Sequence, residues 1–119
     1  MMKKAFVLAV LCAISISVQA RECDENTMNA VDFRTCVSEQ NKGAIRQAYN
    51  KLIQALGANQ TAIDGIKEAQ EHWEKFRDST CYYVSETATR EDGAYCVDEF
   101  NQARVKTLNR YTKEALANK

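Results

Sequence analysis

The stretch TAIDGIKEAQEHWEKFRDSTC, residues 61–81, carries the clearest helical pattern in the chain. Thr61 and Asp64 have the spacing of a capping box, in which side chains satisfy the free backbone N–H groups at a helix start. Side chains spaced by three and four then form a mostly apolar stripe, made of Ile63, Ile66, Ala69, Gln70, Trp73, Phe76 and Arg77. The pattern predicts an amphipathic helix from about Thr61 to about Cys81.

Two further helical patterns lie on either side of this stretch. The first helix is expected to begin near Ala30 with Asn29 as its N-cap and to end at Gly57, a residue type common after helices. The other is expected to span residues 94–117. Their predicted inward-facing residues are Phe33, Val37, Ile45, Ala48, Tyr49, Leu52, Ile53 and Leu56 in the first helix, and Val97, Phe100, Arg104, Leu108, Tyr111 and Ala115 in the last.

The segment between the last two helices, residues 82–95, has little periodicity, and its Asp92-Gly93 pair is typical of a turn. We expect it to form a long loop. The sequence contains no proline, and no segment alternates between apolar and polar residues for long, so strands have little support. Because short connections favour antiparallel neighbours, the predicted fold is all-α: an antiparallel three-helix bundle stapled by two disulfides.

Residues 1–20 have the features of a cleavable secretory signal. A pair of lysines precedes an apolar run over residues 5–18, and cleavage is expected after Ala20. Residues 21–119 are then a single helical domain. No cysteine follows the small residues of a lipid-attachment signal, so the product is expected to have no membrane anchor after cleavage and to reside in the periplasm or the medium.

Four cysteines remain after removal of the signal: Cys23, Cys36, Cys81 and Cys96. An even number in an exported chain indicates disulfides. A zinc site is the alternative, but the spacings are long and no CxxC pair occurs. Four cysteines allow three pairings. We favour Cys81 with Cys96 and Cys23 with Cys36, because each pair brackets a predicted helix boundary where the chain turns back.

Three polar side chains interrupt the predicted apolar stripes: Gln70, Arg77 and Arg104. A buried guanidinium is costly without a partner, so we expect Arg77 or Arg104 to reach Asp78, Gln70 or helix-end carbonyl groups. The first interpretation is a structural network that holds the helices together. The alternative is a recognition site for an anionic or carbonyl group.

Catalytic chemistry has little support in the sequence. His72 is the only histidine, and Glu68, Glu71 and Glu74 alternate with lysines, which is typical of a solvated helix face. No serine has a credible base and no glycine-rich phosphate loop occurs, so neither enzyme activity nor a cofactor or metal is predicted. Acidic residues slightly outnumber basic ones once the signal is removed, which gives no attraction to nucleic acid.

The predicted loop carries residue types common in contact surfaces: Tyr82, Tyr83, Ser85, Arg90 and Tyr95. A disulfide at its base would hold the loop in shape, which lowers the ordering cost of binding a partner. These five residues are the candidate partner-binding loop. Tyrosines beside a cysteine are also ordinary core residues, so a packing role is the alternative.

The motif AQEHWEKFRDSTC, residues 69–81, followed by Cys96, Arg104 and Leu108, resembles the LprI-type lysozyme inhibitor family of small exported bacterial domains. The resemblance extends to Cys23, Thr27, Cys36, Tyr49 and Leu52. Lys42 and Arg46 stand where relatives commonly carry Asp and Asn. The resemblance implies a protein partner, lysozyme, and inhibition by steric blockade. The alternative function is a structural or envelope-stress accessory that binds a cell-wall component or another periplasmic protein; the oligomeric state stays open.

Overall fold

The computed structural model describes residues 23–119, and the predicted signal at residues 1–20 lies outside that part of the chain. Three helices follow one another, α1 (Ala30–Leu56), α2 (Gln60–Thr87) and α3 (Arg90–Ala117). No strand occurs among the described residues. The all-α prediction is confirmed, and the short connections make the three helices an up-down-up bundle.

The ends of α1 match the prediction. The Asn29 side chain caps the helix by accepting a hydrogen bond of 2.8 Å from the backbone N–H of Asp32. The helix stops at Gly57, which has φ of 58°, a left-handed conformation that glycine adopts without steric cost. The cap of α2 lies two residues earlier than predicted, because Asn59 rather than Thr61 supplies it by accepting from Ala62 N–H at 3.1 Å.

The prediction of a long loop over residues 82–95 is wrong. Helix α2 continues to Thr87 and α3 begins at Arg90, so only two residues connect them. The polar run is compatible with a helix because the hydroxyls of Ser85 and Thr87 donate to backbone carbonyls of the preceding turn. The Thr89 side chain accepts from Asp92 N–H at 2.9 Å, which is an N-cap and marks the true helix start.

Gly93 is a helix contact and does not form the turn that the Asp92-Gly93 pair suggests. It is buried in the first turns of α3 against the last turns of α2. A Cβ atom built on Gly93 would lie 2.6 Å from the Ser85 Cβ and 3.1 Å from the backbone oxygen of Cys81. Only a residue without a side chain allows α2 and α3 to approach this closely.

Helix α3 packs against both α1 and α2, whereas α1 and α2 touch each other only slightly. The centre of the core is Leu108, which is fully buried against Ile45, Ala48 and Leu52 of α1. Partly buried residues surround this centre: Tyr49, Leu56, Ile66, Trp73, Val105, Tyr111 and Ala115. The slight contact between α1 and α2 leaves an open groove along one side of the bundle.

The predicted stripe of α2 is wider than the surface that the helix buries. Phe76 is 63% exposed and meets only the edge of α3, with its ring centroid 5.9 Å from that of Phe100. Ala69 is exposed as well. Because α2 packs mainly on one neighbour, residues at the margin of its stripe remain in solvent.

Both disulfides are present, and their pairing is the favoured one. Cys81–Cys96 joins α2 to α3 with a Cα–Cα distance of 5.5 Å. Cys23–Cys36 ties the segment before α1 to the second turn of that helix, with a Cα–Cα distance of 5.7 Å. One bond therefore connects two packed helices, and the other fastens a short terminal segment.

Candidate partner-binding surfaces

A polar network lies between α2 and α3 around Trp73. The Arg77 and Arg104 guanidinium carbons lie 5.0 Å and 5.3 Å from the centre of the Trp73 ring. Such cation–π contacts are favourable when the cation is partly removed from water. Arg104 Nε donates to Gln70 Oε1 at 2.9 Å, and Arg77 Nε donates to Asp78 Oδ1 at 2.8 Å. The four residues singled out in the sequence thus lie in one network.

Asn101 completes this network and was not singled out in the sequence. It is 1% exposed, and its Oδ1 accepts from Arg77 Nη1 at 3.0 Å. The spacing of Asn101, Arg104 and Leu108 by three and four does place all three on the same face of α3. A predicted stripe that is wider by one position includes Asn101.

Arg104 is half-buried in this network. Burial lowers the pKa of Arg104, with Tyr111 acting in the opposite direction, and its Nη2 atom is buried without a hydrogen-bond partner in residues 23–119. The Arg77–Asn101 and Arg104–Gln70 hydrogen bonds join α2 to α3, and the Arg77–Asp78 bond lies within α2. The network therefore links α2 to α3 through two side-chain hydrogen bonds.

Replacing Arg77 with alanine is expected to lower the free energy of unfolding by about 1–3 kcal/mol, because the buried Asn101 oxygen loses its donor. The matched control is Arg110→Ala, since Arg110 also contacts an aromatic ring and a carboxylate but is largely exposed. That control should change stability by less than about 0.5 kcal/mol. Urea denaturation followed by circular dichroism measures both, and equal effects would contradict the structural role.

The candidate binding residues surround the end of the α2–α3 helical hairpin, residues 82–95, here called the hairpin tip. Tyr82 and Tyr83 are 68% and 66% exposed, and Arg90 is also exposed. Tyr95 is covered on one side by the Arg34 guanidinium, 4.6 Å from its ring centre. Ser85 is half-buried, and its hydroxyl already donates to the Tyr82 carbonyl oxygen.

The five candidate residues therefore do not form one continuous surface. Successive residues of a helix are rotated by about 100°, so Tyr82 and Tyr83 point in different directions from α2. Ser85 faces Gly93 and Tyr95 packs toward α1. Tyr82, Tyr83 and Arg90 remain as accessible side chains of the hairpin tip, on a helical base in place of a loop, and Tyr95 is 49% exposed beside Arg34 of α1.

A second surface is the groove between α1 and α2, which has a volume of about 440 Å³. It is lined by Lys42, Ile45, Arg46, Tyr49, Gln70, Glu74 and Arg77. No sequence pattern predicts this α1–α2 groove. Its existence depends on how far α1 and α2 diverge, which is a tertiary property that neither helix pattern encodes.

Other kinds of site have no support in the described part of the chain. Residues 23–119 contain no cluster of three histidine, cysteine, aspartate or glutamate side chains able to hold a metal ion. His72 contacts Glu68 at 3.5 Å on an exposed helix face. Within the same residues, each helix is too short or too polar to cross a membrane.

Comparison with known proteins gives one match. A family model described as lysozyme inhibitor LprI matches residues 21–116, which is most of the chain. No curated protein and no solved structure matches. The match covers both disulfides, all of α1 and α2, and α3 up to its penultimate residue.

Proposed function

Because the chain belongs to the LprI lysozyme inhibitor family, we propose that it inhibits lysozyme by steric blockade, without catalysis of its own. The membership in that family is the observation that carries the proposal. The chain acts as an exported protein that is released from its signal after Ala20 and works in the periplasm or the medium. Its two disulfides support this location, because such bonds persist in oxidising compartments.

The hairpin tip is the part of this molecule proposed to enter the lysozyme cleft. The Cys81–Cys96 bond and the close contact at Gly93 hold the tip in one conformation before binding. A preorganised surface loses less conformational entropy on association. Tyr82 and Tyr83 supply large exposed rings with few rotatable bonds, a common source of binding energy at protein interfaces.

The chemistry of the tip also suits a glycosidase cleft. Such clefts hold a pair of carboxyl groups on either side of the bond that is cleaved. The hydroxyls of Tyr82 and Tyr83 and the guanidinium of Arg90 are hydrogen-bond donors that a carboxylate accepts. Complementarity of this kind favours binding of the tip and exclusion of the substrate.

Titration of lysozyme activity with the purified mature protein tests the proposal. We expect the protein to inhibit lysozyme at micromolar concentration. In the double variant Tyr82→Ala, Tyr83→Ala, inhibition should be weaker by at least about tenfold, the size expected when exposed aromatic anchors are removed. The matched control is Phe76→Ala, which removes an equally exposed ring from the same helix outside the tip. If a micromolar excess of the protein inhibits none of the c-, g- and i-type lysozymes, the proposed function is refuted. Inhibition that both variants weaken equally would refute only the role of the tip.

A further inference from the structure

We propose that the α1–α2 groove is a second binding site, which takes a carboxylate-bearing peptide segment of a protein partner. This inference goes beyond lysozyme blockade at the hairpin tip, because the groove is formed by other residues on another side of the bundle. Three features support this site: the arrangement of donors in the groove, the excess of basic side chains in its lining and its apolar floor.

Two matching rows of side chains form the walls of the groove. Lys42, Arg46 and Tyr49 come from α1, and Gln70, Glu74 and Arg77 come from α2. Each row has the spacing i, i+4 and i+7, which places its members on one face of a helix over two turns. Since α1 and α2 run antiparallel, Lys42 and Arg77 lie toward one end of the groove, and Tyr49 and Gln70 toward the other.

Most of the polar groups offered to a ligand are donors. Arg46 is exposed and has no ion-pair partner in residues 23–119, and Lys42 contacts only the exposed Glu39, at 3.4 Å. Ion pairs of this exposed kind contribute little and are readily exchanged for a ligand. The carbonyl of Gln70 is occupied by Arg104, so its amide is the group left for a ligand.

Tyr49 adds a neutral donor at the other end. Burial raises its pKa, and the neighbouring carboxylates of Glu71 and Glu74 act in the same direction. Like any tyrosine hydroxyl it is protonated at neutral pH, and it can donate to an acceptor. Glu74 is the one carboxylate that lines the groove, and it offers an acceptor for a backbone N–H of the ligand.

In residues 23–119 no salt bridge joins α1 to α2, and three basic side chains line the groove against one acidic side chain, Glu74. A ligand carboxylate near Lys42 and Arg46 would balance this excess of positive charge. The half-buried ring of Tyr49 and the buried Ile45 provide apolar contact beside these cations. A peptide segment combines an acidic side chain, a backbone N–H for Glu74 and apolar atoms, whereas a small inorganic anion offers only the charge.

A titration of the isotope-labelled mature protein by NMR, with a synthetic hexaglutamate peptide as the probe, tests this site. We expect shifts centred on the groove residues and an affinity that falls about tenfold in Lys42→Glu with Arg46→Glu, because two attractive contacts become repulsive. The matched control is Arg110→Glu with Lys113→Glu, which changes the net charge equally on exposed positions of α3. That control should alter the affinity less than about twofold.

Tyr49→Phe provides a variant without any change of charge, and it should weaken peptide binding by about threefold to tenfold through loss of one donor. Circular dichroism confirms that each variant is folded. Equal weakening in both charge-reversal variants, shifts outside the groove or no binding of the peptide would overturn the site. Equally tight binding of inorganic phosphate would overturn the peptide as its ligand class.

Discussion

Leu108→Ala is expected to lower the free energy of unfolding by about 2–5 kcal/mol, a large part of the stability of a domain of this size. Leu108 is fully buried where α3 meets α1, against Ile45, Ala48 and Leu52. Removing its three outer carbons loses their burial and leaves a cavity that two rigid helices can close only in part.

Leu116→Ala is the matched control for this prediction. Leu116 lies on the same helix but is 56% exposed, so the same chemical change should cost less than about 1 kcal/mol. Helix propensity does not distinguish the two variants, since leucine is replaced by alanine in both. Urea denaturation of the oxidised protein measures both values. Similar losses in the two variants would show that Leu108 is not the centre of the core.

The Cys81→Ala, Cys96→Ala variant is expected to lose about 3 kcal/mol of stability, the value that the chain-entropy model gives for a closed loop of this length. The bond spans fifteen residues and joins two helices that remain packed in the native state. Breaking it therefore increases the freedom of the unfolded chain much more than that of the folded one. Denaturation of the variant and the oxidised parent protein gives the difference.

The Cys23→Ala, Cys36→Ala variant is the corresponding control, because its bond spans thirteen residues and closes a loop of nearly the same length. The segment before α1 is otherwise held by local turn hydrogen bonds to Asp24. Without Cys23–Cys36 this segment gains freedom in the folded state as well, which offsets part of the entropic effect. A loss as large as that of the Cys81 and Cys96 variant would contradict this difference between the two bonds.

Local signals in the sequence were sufficient for most of the fold. Periodic apolar residues identified three helices, and Asn29 and Gly57 marked both ends of α1 correctly. The pairing of the cysteines followed from the places where the chain reverses. These features depend on residues that are close in sequence, and so a pattern records them directly.

The errors came from contacts between helices. A polar run with an Asp92-Gly93 pair has the composition of a loop, but Thr89 caps a helix there and Gly93 serves close packing. The sequence predicts part of the set of partners of Arg77 and Arg104. It does not predict the buried Asn101, because asparagine is a residue type that is usually exposed. The α1–α2 groove depends on the angle between two helices, which their separate patterns do not contain.

The close contact at Gly93 restricts the alignment of α2 with α3 to a single register. Gly93 and Cys96 lie on one face of α3, opposite Ser85 and Cys81 on α2, so a steric constraint and a covalent one act about one turn apart. Sliding either helix by one residue would bring a side chain to the position of Gly93 and separate the two sulfur atoms. The distances among the exposed groups beyond this point are therefore set within the chain, before any partner approaches.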